Sequence, residues 1–208
     1  LSFGHTIRGV YTLSDRSSSY QPAAESALAV GLEVAGPGGS GNVLRLDATG
    51  RMYGTDSQGG TDVFAAGNQK ELQLLARVDA GETRSLEGSA RVVCRENDRV
   101  FTQSSTEPQE FTPGTWIHGQ ATFNNRIAGA LWIGVAGEWT RMQGNDRPGQ
   151  DGDAYGGGPV LTVRLRGGSS LAIGASYLGG TLKGSTESGS TVLRGRQISA
   201  QYIWRGML

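Results

Sequence analysis

Cysteine is almost missing from this 208-residue chain: Cys94 stands alone, so no internal disulfide can form and no zinc-like ligand spacing exists. Its expected part is that of a small apolar side chain. Lysine is nearly as scarce. Of the 19 basic side chains only Lys70 and Lys183 are lysine, which leaves arginine, the cation suited to fixed bidentate pairing with carboxylates, as the main positive charge. The basic groups are balanced by 19 acidic ones and no run of like charge occurs, so nucleic acid has no field to follow and is not an expected partner. Long apolar runs are absent as well. No stretch approaches the roughly eighteen consecutive apolar residues of a membrane-spanning helix, which excludes helical spans and leaves spanning strands open. No signal peptide is present, and a chain opening at Leu1 reads as processed or as the ordered part of something longer. Residues 1–208 suffice for one domain.

What the chain does have is glycine, 34 residues of it, and a two-residue period between the turns that glycine marks. In the first segment Leu1, Phe3, His5, Ile7, Tyr11 and Leu13 share one face, with Ser2, Thr6, Arg8 and Thr12 on the other. From 24 to 36, Leu28, Val30, Leu32 and Val34 oppose Glu25 and Glu33. From 42 to 54, Leu44, Leu46, Ala48 and Met52 oppose Arg45, Asp47 and Arg51. Leu72, Leu74, Ala76 and Val78 then oppose Glu71, Arg77 and Asp79, and Leu86, Val92 and Cys94 oppose Glu87, Arg91 and Arg95. The pattern continues with Ile117, Ala121 and Phe123 against His118 and Gln120, and with Ile127, Leu131, Ile133, Val135 and Trp139 against Ala128, Ala130 and Glu138. Leu161, Val163 and Leu165 against Arg164 and Arg166, Leu171, Ile173 and Tyr177 against small residues, and Ile198, Ala200, Tyr202 and Trp204 against Arg205 complete it. About ten strands are expected, each with one greasy and one polar face.

The connections alternate in length. Long polar loops are expected near 15–23, 55–69, 98–113, 143–157 and 180–190, with short turns at 37–41, 81–84, 124–126 and 167–169 between them. Long loops at one rim and short turns at the other are the asymmetry of a closed up-and-down antiparallel transmembrane barrel. A soluble sandwich with its apolar face inward is the rival, and it has no need of that asymmetry. The polar face also favours the barrel, since small residues and opposite charges alternate on it. Arg8, Glu25, Glu33, Arg45, Asp47, Arg51, Glu71, Arg77, Asp79, Glu87, Arg91, Arg95, Glu138, Arg164, Arg166 and Arg205 form the expected lumen charge network. A hydrated lumen tolerates such pairs where a dry core would not, and about ten strands leave it narrow or blocked. Outward aromatics fall into two girdles, Tyr11, Trp139 and Tyr177 toward the long loops and Phe3, Phe123, Tyr202 and Trp204 toward the short turns.

The terminal segment 197–208, with Ile198, Ala200, Tyr202, Trp204 and Leu208 on one face, resembles the C-terminal strand of bacterial outer-membrane β-barrel proteins, with Leu208 in place of their terminal aromatic. The resemblance is to that class and extends over the chain by pattern alone. It implies a Gram-negative outer-membrane location, contact with membrane lipid and lipopolysaccharide, recognition by the barrel insertion machinery, and other envelope proteins as further partners. The expected function is a structural or anchoring barrel, or a narrow porin-like passage lined by Arg and Glu, and not an enzyme. Two alternatives stand beside it: a soluble all-β binding or virion assembly module, and a small outer-membrane hydrolase.

Hydrolysis would need a base beside a nucleophile, and with two histidines in the chain the conceivable constellation is His118 with Ser89 or Glu87. No catalytic residue is expected from it. Asp146, Asp151 and Asp153, near Asn145 in a glycine-rich loop, are hard oxygen ligands of the kind calcium uses, but lack the spacing of a defined calcium loop. A solvated acidic turn is the simpler reading, as it is for Asp56 and Asp62. Gly156–Gly158 precede no helical pattern, so no phosphate-cradling loop and no cofactor is expected. Trp116 and Trp132 face the polar side, where aromatic filling or sugar stacking is the choice.

Overall fold

The structure, a computed structural model, describes residues 2–6, 11–12, 19–36, 41–102, 107–146, 151–165, 169–183 and 189–203, of which 2–6, 11–12, 19 and 203 are described by backbone alone. Among them every regular element is a strand and no helix occurs. Ten strands make one antiparallel sheet: β1 (Ser2–Thr6), β4 (Glu25–Ala35), β5 (Val43–Tyr53), β8 (Gln69–Ala80), β9 (Arg84–Arg95), β12 (Thr115–Ala128), β13 (Leu131–Gln143), β14 (Gly152–Arg164), β15 (Ser170–Lys183) and β16 (Ser190–Ile203), in that order. β1 and β16 end the order, and no ladder joins them among the described residues.

Register follows from the two-faced sequence. Leu46 pairs with Leu32 on one side and Leu74 on the other, an apolar row. Two charged pairs, Glu33 with Arg45 and Arg77 with Glu87, stand directly opposite on the reverse face. A slip of one residue would exchange the faces, so alternation fixes the pairing. Gly158 and Pro159 interrupt the β14–β15 ladder. Proline has no N–H to donate there, and a Cβ on Gly158 would collide with the Ala175 carbonyl.

The apolar face is open. From Leu28, Val30 and Leu32 on β4 to Ile198 on β16, large apolar side chains lie exposed, and the buried apolar residues among those described are Ala65 and Trp132. Accessible surface totals 14108 Å², against about 9,300 Å² for a globular chain of this mass. Neither face of the sheet is packed as a dry core. The sheet also curls, because residues as far apart in strand order as Arg77 on β8 and Gln201 on β16 line one cavity of about 820 Å³ on the polar face.

Three of the expected long loops turn out to be strands. β2 (Tyr11–Thr12), β3 (Ser19–Gln21), β6 (Thr55–Gln58), β7 (Thr61–Ala65), β10 (Asp98–Val100) and β11 (Gln109–Phe111) form a second sheet in the order β11-β10-β7-β6-β3-β2. Tyr11 therefore belongs to this sheet and not to an aromatic girdle on the first. Tyr20 hydroxyl donates to Asp56, whose other oxygen accepts the Ala23 N–H at 2.7 Å. Asp98 accepts the Gly67 N–H at 2.9 Å.

Two other connections are shorter than expected, since β13 and β14 leave 144–151 between them and β15 and β16 leave 184–189. The third short turn is relocated. Asn124 and Asn125, turn-like in sequence, continue β12, which irregularly pairs on to Ala128; the reversal comes at Gly129 and Ala130, where Gly129 takes φ +49°.

Candidate functional site

The polar face carries the chemistry. On the half built from β4, β5, β8 and β9, arginines alternate with carboxylates on neighbouring strands and close into pairs: Arg51 with Glu25 at 3.0 Å, Arg45 with Asp47 at 2.8 Å and with Glu33 at 3.9 Å, and Arg77 with Asp79 at 3.1 Å and Glu87 at 3.5 Å. Arg91 grips Glu71 with two N–H groups, each bond 2.7 Å. Arg95 reaches the buried Asp98 at 2.9 Å and so ties the first sheet to the second. Glu138 folds over Gly156 and forms no ion pair among the described residues. Arg8, Arg166 and Arg205 of the expected network lie outside the described residues, as does Trp204.

Aromatic rings extend these pairs across the sheet. The Arg91 guanidinium lies 5.2 Å from the Trp116 ring centre, Trp116 stacks on His118 at 5.4 Å, and His118 Nδ1 and Thr140 Oγ1 share a hydrogen bond of 2.8 Å. A continuous polar chain thus runs from β8 to β13. Toward the short turns Arg164 lies 3.8 Å over the buried Trp132, and at the opposite rim Arg95 sits 5.8 Å from the Tyr53 ring. Each inward tryptophan thus has an arginine beside its ring. The Trp132–Arg164 contact was invisible in sequence, because it depends on strand neighbours.

The other half of the face is different. Ala136, Gly156, Gly158, Gly174 and Ser176 leave room there, and the 820 Å³ cavity takes its polar groups from Gln120, Asn124, Gln197 and Gln201 with Arg77, Glu87 and Arg164. Amides and hydroxyls of this kind can hydrate or hold a small polar solute. Outside that cavity Ser89 stands opposite Gln120 and His118 opposite Arg91, and the His118 Nδ1 shares its hydrogen bond with Thr140.

The acidic loop brings no cluster together. Asp151 accepts the Gly144 and Asn145 amides at 3.1 and 2.9 Å, Asp146 accepts the Thr112 amide at 2.7 Å, and Asp153 faces Arg141 at 3.8 Å. Each carboxylate braces backbone or pairs a cation, and no metal-ligating group of three occurs among the described residues.

On the apolar face Phe123, Trp139, Tyr177 and Tyr202 are exposed, while Phe3 is described by backbone alone. Tyr155 joins them at 57% exposure. Sequence reading missed it because glycines at 156–158 hide the start of β14. Comparison with known proteins finds no matching family model, no matching curated protein and no matching solved structure.

Proposed function

We propose that the ten-stranded sheet closes on itself through β1 and β16 and spans the outer membrane of a Gram-negative bacterium. It acts there as a structural or anchoring barrel whose polar face is a narrow, charge-braced lumen. The observation that carries this reading is the apolar face itself. Soluble monomers rarely expose contiguous apolar patches beyond a few hundred Å², yet here side chains such as Leu32, Val135 and Ile198, at 66, 62 and 84% exposure, continue across the sheet. Lipid is the solvent that suits such a face, and a closed sheet satisfies its backbone groups there.

The lumen reading rests on the same alternation. Ion pairs at 2.7 to 3.9 Å brace one side, while the small-residue side leaves a passage for small polar solutes. The partners that follow are membrane lipid and lipopolysaccharide, the barrel insertion machinery and other envelope proteins.

Extraction tests the proposal. The full chain should require detergent, and unheated samples should migrate faster in electrophoresis than boiled ones, as folded barrels do. A chain that stays monodisperse in plain buffer and migrates identically before and after boiling would make it a soluble all-β module.

A further inference from the structure

On the apolar face Lys70 and Arg141 are each neutralised by a neighbour. Lys70 has Glu96 at 3.8 Å, and Arg141 has Asp153 at 3.8 Å. Arg84 and Lys183 are exposed there without an ion pair among the described residues, each alone on the apolar face of its strand, whereas Arg194 and Arg196 on β16 stand together. They share the parity of Val192, Ile198 and Tyr202, are exposed, and make no ion pair among the described residues. Two residues apart on one strand, they stand about 7 Å from each other on one face.

The surface beside them is shaped. Arg194 pairs across to Gly179 and Arg196 to Tyr177. The Tyr155 ring from β14 lies over Gly179, so close that a Cβ there would stand 2.8 Å from ring carbons and 2.9 Å from the hydroxyl. Two tyrosines thus form a shelf next to two unpaired guanidinium groups. On the short-turn side of the shelf the same face turns apolar, with Ile198 opposite Ala175 and Ala200 opposite Ile173.

We infer that Arg194 and Arg196, with the Tyr155–Tyr177 shelf, bind the phosphate of an anionic glycolipid whose acyl chains lie along the apolar strands below. Charge decides the occupant: guanidinium forks fit phosphate oxygens bidentately, and an uncompensated cation pair at the margin of an apolar band attracts a lipid that is anionic at its head and apolar at its tail. This inference rests on the membrane reading of the sheet.

Native mass spectrometry of the full chain in dodecylmaltoside micelles doped with diphosphoryl lipid A tests it. The wild type should retain the lipid. R194Q/R196Q should weaken retention about thirtyfold, the weight of two basic side chains at an anionic surface, R194K/R196K should keep most of it, and K70Q should leave it unchanged. Lipid A stripped of its phosphates should bind the wild type no better than diphosphoryl lipid A binds the double variant. Equal retention by R194Q/R196Q, in a protein that still shifts on boiling, would overturn the inference and leave the barrel standing. Full displacement by millimolar inorganic phosphate, or equal competition by an acidic peptide, would also overturn it. A chain that needs no detergent would remove the membrane reading first.

Discussion

Arg91 holds Glu71 across the β8–β9 ladder through two parallel bonds of 2.7 Å, and the same guanidinium covers the Trp116 ring. The two partners are unequally placed. Glu71 keeps 11% of its side-chain exposure and Arg91 keeps 35%. Removing the arginine strands a nearly buried carboxylate, whereas removing the carboxylate leaves a cation with water and a ring. Arg91→Met should therefore cost about 2 kcal/mol and Glu71→Gln about 1 kcal/mol, with the double variant costing less than their sum. Urea unfolding of all four proteins in one detergent measures the coupling; equal single costs that add would mean the pair does not act as a unit.

Val135 separates lipid from water as the solvent of the apolar face. It sits midway along β13 with 62% exposure. Facing the middle of a bilayer, Val135→Arg should lose about 2–4 kcal/mol; facing water, the same change should stay within about 0.5 kcal/mol. Refolding into phosphatidylcholine vesicles across a denaturant series gives the number.

Asp98 tests whether the second sheet opens independently. It is 4% exposed, accepts the Gly67 amide and pairs with Arg95. Asp98→Ala leaves both partners without that carboxylate, at a cost of about 3 kcal/mol. Amide exchange in 61–65 and 98–100 should accelerate roughly a hundredfold, while β12 to β15 hold their protection. Uniform acceleration throughout would show the two sheets to be one cooperative unit.

Sequence revealed strands wherever the two faces differ in polarity. β4, β5 and β8 were legible to within a residue or two because Leu and Val alternate with Arg and Glu. It failed where the alternation was broken for other reasons. Arg194 and Arg196 break the apolar alternation, so β16 was legible only from about residue 197, and Gly156–Gly158 hid the start of β14 within the loop expected at 143–157. Rim strands of two to five residues, such as β7 and β10, are too short to show any period. The charged residues of the polar face were readable from parity, but their partners were not: Asp98 for Arg95 and Trp132 for Arg164 follow from neighbours that only the fold supplies.

The β6–β7 hairpin ends at Gly59 and Gly60, with φ of 60° and 81°, and a Cβ on Gly60 would meet nothing within 4 Å. A two-residue reversal of this kind asks only for a backbone able to take positive φ, and the space beside Gly60 is open among the described residues. Mutational drift there is uncoupled from the sheet beneath. If this rim faces the outside of a cell, the protein can change the portion that antibodies or phage would meet first while its folding determinants stay untouched.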